Sequence, residues 1–545
     1  MRIEINISDV IVTSFEVFEQ LSEGYKITVF LYANNIIGPT IIGSNLRLTI
    51  ENSLWIGVAC ESQLLYEDMH QRFHYKLTLI SHLQYFGRPK KYSIYKNISI
   101  EDLFLEQLKS CNIQHKVNLS RSRIYRHFIQ HSESNIDIVQ YLLAKNGAFW
   151  HVDHLRNLLI IQDQNHISYS IHRLSITNSE LLDPMDNFAT QFSLTNVQKS
   201  YSNKIYWYNY ELPENVEQKT GGVNEFYSTD INSTSEAEEY GKLLENPSQI
   251  YEFRTCNPNI RVGHHIDLEG NMYFVLKIIH KYRNGKYENQ ITSINAKDKY
   301  VPAPVKRKSI PGLEVATVIG PDHVSKGKVK IKFCWSDETL YVLALQSIAG
   351  AHWGTAVFPK PNQRVTIIYE CGDPNRPFIC GSFYDASNMT AYSDEDQQET
   401  VALRLNSTDE SKLTELIVNT RANNEQITIT APGDMIQDIE LNNKILIRNG
   451  IMETRVDNGE YSVYTSHDQA YTIEQGTYKI CVNKGDIIIT NNLQTKIHLK
   501  QSGEMVVTSD YVEINANQVE IKAQNEITIN SSTVITITSP LIRLN

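Results

Sequence analysis

Over residues 512–545 the chain reads VEINANQVEIKAQNEITINSSTVITITSPLIRLN, a run of apolar residues in i, i+2 pairs. The pairs are Val512/Ile514, Val519/Ile521, Ile527/Ile529, Ile535/Ile537 and Ile542/Leu544, with first members 7, 8, 8 and 7 residues apart. Ile497/Leu499 and Met505/Val507 extend the series upstream, and Tyr471/Ile473, Tyr478/Ile480 and Ile487/Ile489 keep its form with looser spacing. Residues i and i+2 of a strand face the same way. Each pair therefore predicts a short strand with one apolar side, followed by a polar turn such as NANQ or NSST. One such strand per unit cannot enclose a core. If three copies of the chain each supply one side, the pairs meet on a shared axis, where burying each Ile or Val is worth about 1.5–3 kcal/mol. A lone chain would instead expose aggregation-prone strand edges. The alternative is a two-sheet sandwich, because the same spacing also suits hairpins.

Upstream, the periods are mixed. YKITVFLYA (25–33), RFHYKLTLIS (72–81) and NLLIIQD (157–163) alternate as strands. SIEDLFLEQLKSC (99–111) carries Leu103, Phe104 and Leu108 at helical spacing, with Ser99 as N-cap. SNIDIVQYLLAKNGAFWHV (134–152) predicts a helix stopped by Gly147 and then a strand. Residues 1–305 thus read as an α+β region dominated by strands. KRKSIPG (306–312) is a basic joint, and the next 73 residues hold six short strand patterns with Gly and Pro turns. That density fits a small Greek-key barrel. Residues 386–400 are polar and acidic and read as a linker. From 401 onward helical patterns disappear.

Composition narrows the function classes. The 545 residues carry a formal charge of −11, which gives no support to nucleic-acid or acidic-membrane binding. Seven scattered cysteines without a CxxC argue against a disulfide framework or zinc ribbon. The N-terminus lacks a signal-peptide pattern, and no apolar run is long enough for a membrane helix.

Candidate chemistry is sparse. No HExxH, GxSxG, P-loop or GxGxxG is present, so no catalytic residue is assigned. His264–His265 point to opposite faces of a strand and cannot readily share a metal, so they are assigned to a turn or the surface. His498, between Ile497 and Leu499, should face outward. Lys326, Lys328, Lys330 and Lys332 alternate along one strand. They could grip single-stranded nucleic acid, but a solvated strand face opposite Val329, Ile331 and Phe333 is the simpler assignment. No cofactor or metal site is expected.

Residues 327–385, GKVKIKFCWSDE through LQSIAGAHWGTAVFPKPNQRVTIIYECGDPNRPFICGSFYD, closely resemble the OB-fold segment of VgrG proteins, the trimeric spikes of type VI secretion systems. Gly327, Val329, Phe333, Trp335, Trp353, Gly354, Pro359, Gln363, Val365, Gly372, Asp373, Pro374, Arg376, Pro377 and Gly381 occupy family positions. Asn362 stands where the family usually has Gly, and Asn is the next-best left-handed residue. Pro361 and Arg364 also depart from the pattern, and the valine–glycine repeats are nearly absent, which puts stalk regularity over 405–480 in doubt. SESNIDIVQYLLAKNGAFWHVDH (132–154) looks like the family's phage-hub-like base.

The resemblance implies a mainly β chain. A phage-hub-like base with two β-barrels and helical insertions would span 1–305. An OB-fold domain would span 306–385 and a linker 386–400. A neck and triple-stranded β-helical needle, formed by a homotrimer, would span 401–545. It implies a non-enzymatic spike that caps an inner tube of Hcp-like rings, contacts baseplate components, receives a PAAR-type tip protein, carries effectors and briefly meets the target membrane. Such a chain would reside in the bacterial cytoplasm during assembly and leave without a signal peptide. The 386–400 interval is too short for the hydrolase inserted in related phage needles, and the repeat runs to Asn545, so no toxin domain is expected there. Two rivals stay open. A phage-type tail spike acting on surface glycan would need clustered carboxylates and aromatics. An OB-fold nucleic-acid binder would need aromatics interleaved with the lysines.

Overall fold

In the computed structural model, one twelve-stranded sheet carries the N-terminal region. The structure describes residues 3–120, 122–164, 171–177, 187–197, 202–208, 217–219, 222–228, 234–243, 249–302, 305–320, 322, 324–325, 327–407, 412–491 and 495–543. Leu544 and Lys326 lie outside them. Two units are distinct, Met1–Pro432 and Gly433–Asn545.

In the first unit, strands Ile3–Ile5, Asn45–Ile50, Ser53–Glu67, Phe73–Ile80, Gly24–Ala33 and Val10–Gln20 lie side by side in that order. The sheet continues through Asn271–Arg283, His265–Leu268, Ile171–Ile176, Phe188–Asn196, Gln249–Thr255 and Lys286–Asn295. The first six strands make the first barrel, which no ladder closes among the described residues, and the last strand pairs back onto Asn271–Arg283 and closes the second. Alternation explains the strands: Ile27, Val29 and Leu31 are buried, while Lys26, Thr28 and Phe30 between them are turned the other way and are more exposed.

Both sequence-predicted helices form. Helix Ile100–Leu108 starts at Ser99, whose side chain accepts from the Asp102 N–H. Helix Asn135–Asn146 starts at a capping box between Ser134 and Asp137 and stops at Gly147, at φ 60°. Leu103, Phe104, Ile138, Leu142 and Leu143 seal the first core.

The predicted small barrel is present. Glu314–Val318 pairs with Lys328–Phe333, which pairs with Thr339–Ala344. Thr339–Ala344 runs parallel to Pro377–Ser382, which pairs with Arg364–Tyr369, and that strand returns to Glu314–Val318. This closed circuit is the OB-fold order. Val329, Ile331, Phe333, Val365 and Ile367 fill it.

The 386–400 stretch is not featureless. Ser393 caps a short helix, Asp394–Glu399, because its hydroxyl accepts from the Asp396 N–H. A three-stranded antiparallel sheet then spans Thr400–Asn406, Leu413–Asn419 and Gln426–Thr430.

The second unit contains one antiparallel sheet of Ile487–Asn491, Thr495–Leu499 and Met505–Thr508. Its other described residues carry no assigned strand or helix. They bend at regular intervals. Bends begin at 440, 448, 457, 466, 474 and 483, and again at 510, 517, 524, 532 and 540. The region whose regularity the resemblance left in doubt, 405–480, is therefore periodic from residue 440. Gly450, Gly459, Gly476 and Gly485 supply positive φ at four of these bends.

Candidate assembly surfaces

The Gly-Asp-Pro-Asn-Arg-Pro signature is a clasp between the OB barrel and the base. Gly372, at φ 77°, runs so close to the 306–312 joint that a Cβ there would lie 1.8 Å from Ser309 Oγ. Its carbonyl accepts from the Ile310 N–H at 3.0 Å. Asp373 Oδ1 accepts from the Asn375 N–H at 2.9 Å and shapes the turn, while Pro374 and Pro377 are buried. Asn375 then reaches the base: its Oδ1 accepts from the Ile129 N–H at 2.8 Å, and its carbonyl lies 2.9 Å from His127 Nε2.

Three further contacts complete the clasp. Arg307 buries its guanidinium over the Phe128 and Tyr141 rings and pairs with Glu133; the two side chains are 6% and 4% exposed. The basic joint is therefore an anchor as well as a connector. Glu314 of the barrel meets His131 of the base at 2.5 Å and accepts from the Tyr369 hydroxyl. Partial burial opposes the Glu314 charge, but these hydrogen bonds outweigh it and hold its carboxyl below the usual range. Trp335 stacks on Phe333 at 4.8 Å and lies 5.2 Å from Tyr92 of the base.

The remaining signature residues scatter over the barrel. Gly327 takes φ 74° in a turn with open space around it. Asn362 adopts φ 69°, the left-handed geometry expected of a Gly substitute. Arg364 pairs with Asp385. Gly381 sits beside a register shift in its strand pair, and Pro359 is half-buried. Trp353 is 68% exposed and Gly354 takes φ 130°, so the Trp-Gly pair presents an apolar loop rather than a core. The lysine face is neutralised: Lys330 lies 3.5 Å from Asp322 and Lys332 2.8 Å from Asp337.

The ladder residues all face solvent in the single chain. Val512, Ile514, Val519, Ile521, Ile527, Ile529, Ile535, Ile537 and Ile542 are each 51–67% exposed. Upstream, the spacing does make hairpins, though in one sheet and not the two of a sandwich: Ile489, Ile497 and Val507 align across three strands, as do Ile487, Leu499 and Met505. His498 points to Asp486 Oδ2 at 2.5 Å.

His264 and His265 correct the surface assignment. His265 is fully buried against Phe274, and His264 Nδ1 lies 3.0 Å from His172 Nε2. They do point to opposite sides. Beside them lies a buried polar centre that the sequence patterns did not reveal. Trp55 Nε1 donates to Glu19 Oε1 at 2.6 Å, and Arg261 Nε lies 3.7 Å away. Burial opposes the Glu19 charge, but the His280 ring and the Arg261 guanidinium outweigh it and hold the carboxyl well below the usual range. No group of three His, Cys, Asp or Glu side chains suited to a metal occurs among the described residues.

Comparison with known proteins places these features in order. Residues 18–268 match the phage tail baseplate hub family, and residues 315–384 match the type VI secretion system/phage-baseplate injector OB domain. The chain is 22% identical over 434 residues to the type VI secretion system spike protein VgrG3 of Vibrio cholerae, covering 70% of this chain and 42% of that protein. Against VgrG1c of Pseudomonas aeruginosa it is 23% identical over 375 residues, covering 58% and 51%. Against the actin cross-linking toxin VgrG1 of V. cholerae it is 22% identical and covers 38% of that protein. The chain thus spans roughly two fifths to one half of these relatives. In fold it is similar to the E. coli c3393 protein, a type VI secretion component, with a TM-score of 0.54 at 16% identity over 70% of this chain and all of that one. It is also similar to a chain of the lidless PdpA–VgrG complex, with a TM-score of 0.51 at 10% identity over 77% and 94%.

Proposed function

We propose that the chain, similar to VgrG spike proteins over its hub and OB regions, is a mechanical part: a homotrimer whose base caps a tube and whose C-terminal unit forms the needle. The carrying observation is the row of nine aliphatic side chains from Val512 to Ile542, each at least half exposed and evenly spaced. Three copies of that row would bury one another along a common axis. The clasp suits the same job, since a force applied to the base passes through Arg307–Glu133 and Asn375 into the barrel. In this reading the protein assembles in the bacterial cytoplasm, contacts tube rings and baseplate, and leaves with the needle, which carries a tip protein or effectors across the target membrane. The chain itself supplies no catalysis.

Electron microscopy of the purified full-length protein tests this directly. Threefold particles with a rod at one end are expected. Single-copy or twofold particles with a globular C-terminal unit would overturn it.

A further inference from the structure

The buried centre around Glu19 joins three separate parts of the base. Glu19, Ser53 and Trp55 come from the first barrel. His151 and His154 come from strand Phe149–Asp153 and the turn after it, and Arg261, His264, His265, His172 and His280 come from the second barrel and the loop leading into it. His154 Nδ1 accepts from the Ile56 N–H at 3.2 Å, its Nε2 lies 4.0 Å from Glu19, and its ring meets Tyr25 edge-on at 4.6 Å. His280 lies 2.5 Å from the Tyr287 hydroxyl and 3.6 Å from Glu19. Arg261 lies over Trp55 at 4.1 Å and donates to the Pro258 and Ile260 carbonyls. His151 packs against Gly263, where a Cβ would fall 3.1 Å from its ring. Neither nitrogen of His265 has a hydrogen-bond partner among the described residues.

Five of these rings face the centre, His265 being turned toward Phe274, and the charges facing them among the described residues are few. Two carboxylates, Glu19 and Asp153, act on them, and one of these charges is already balanced by Arg261. The Tyr25 and Tyr287 hydroxyls and the Cys256 thiol complete the surroundings, and burial keeps both tyrosines neutral. The closed seam therefore has compensating charge for about one added proton. A second would be a buried, unpaired cation, and that is costly.

We propose that the seam between the two base barrels is an acid-sensitive joint, which opens on mild acidification while the OB barrel stays closed. Burial lowers His151, His154, His172 and His280 to about 4 and pushes His264 and His265 down as well. A histidine freed by opening regains its ordinary value of about 6.5. The stability these rings contribute is thus complete above pH 6.5 and is lost as pH falls from there toward 4. Glu19, held below its ordinary range, adds a further loss only below about pH 4.5. The barrel carries less of this liability: its one described histidine, His352, is exposed, and of the base rings set against it, one, His127, is lowered by burial.

Hydrogen exchange of the full-length protein, corrected for the intrinsic pH dependence of exchange, reads both regions at once. Each uncompensated histidine makes opening about tenfold easier per pH unit. Peptides over 149–154, 260–268 and 274–282 are expected to lose at least about 100-fold in protection between pH 7 and pH 5. Peptides over 328–333 and 364–369 should keep theirs. His172→Gln should flatten the seam's pH dependence by about one proton. Seam and barrel losing protection together, a seam still protected at pH 4.5, or an unchanged slope in His172→Gln would each overturn the proposal.

Discussion

Val329 and Ile331 in the OB barrel, and Ile527 and Ile529 in the C-terminal unit, are the same residue types at the same i, i+2 spacing, with opposite fates. The first two are fully buried, while the second two are 51% and 63% exposed. Strand propensity does not separate them. The difference is what the chain provides on the other side. Strands Glu314–Val318 and Arg364–Tyr369 close over Val329 and Ile331 to complete the barrel. Among the described residues of the second unit nothing covers residues 512–543, and the backbone there carries no assigned strand. An alternating pattern states which side of a strand must be covered. It does not state whether the cover comes from the same molecule.

The contrast can be pressed hardest inside the barrel. Phe333→Ala removes a buried ring stacked on Trp335 and should cost about 3–5 kcal/mol, read as a lower barrel melting temperature even in dilute monomer. A melting temperature that rises with protein concentration in this variant alone would show that the barrel core, too, depends on other copies. Arg307→Ala leaves Glu133 buried without its partner and should cost about 3–5 kcal/mol. Its loss should loosen the barrel from the base, seen as easier proteolysis at the 306–312 joint. Wild-type resistance would mean that Asn375 and Glu314 suffice. The smallest effect on folding, and the most informative, belongs to Ile529→Asp. Barrel and base melting should stay within about 0.5 kcal/mol of wild type, while assembly is lost because three carboxylates would meet near one axis. Intact assembly would sink the shared-core account.

Much of this was legible because it is local. Ser134 and Gly147 mark the ends of one helix by capping chemistry, Asn362 signals its left-handed turn, and the barrel strands alternate cleanly. The bends of the second unit follow its polar turns. Other features depend on partners far along the chain. Glu19 follows Phe15 and Val17 on the buried face of its strand, yet no local pattern brings to it Trp55 and Arg261, which hold its carboxylate there. His265 is hidden by the closure of the second barrel, not by its neighbours in sequence. Arg307 reads as one of three basic residues in a joint, and only the fold singles it out for burial. Gly372 looks like any turn glycine until Ser309 is seen against it.

The central claim is that copies of this chain cover one another's ladders. Light scattering on the full-length protein, across a wide concentration range, tests it most directly. A single species at three times the mass of one chain is predicted, persisting on dilution. A monodisperse single chain whose melting is unaffected by deleting residues 486–545 would contradict it.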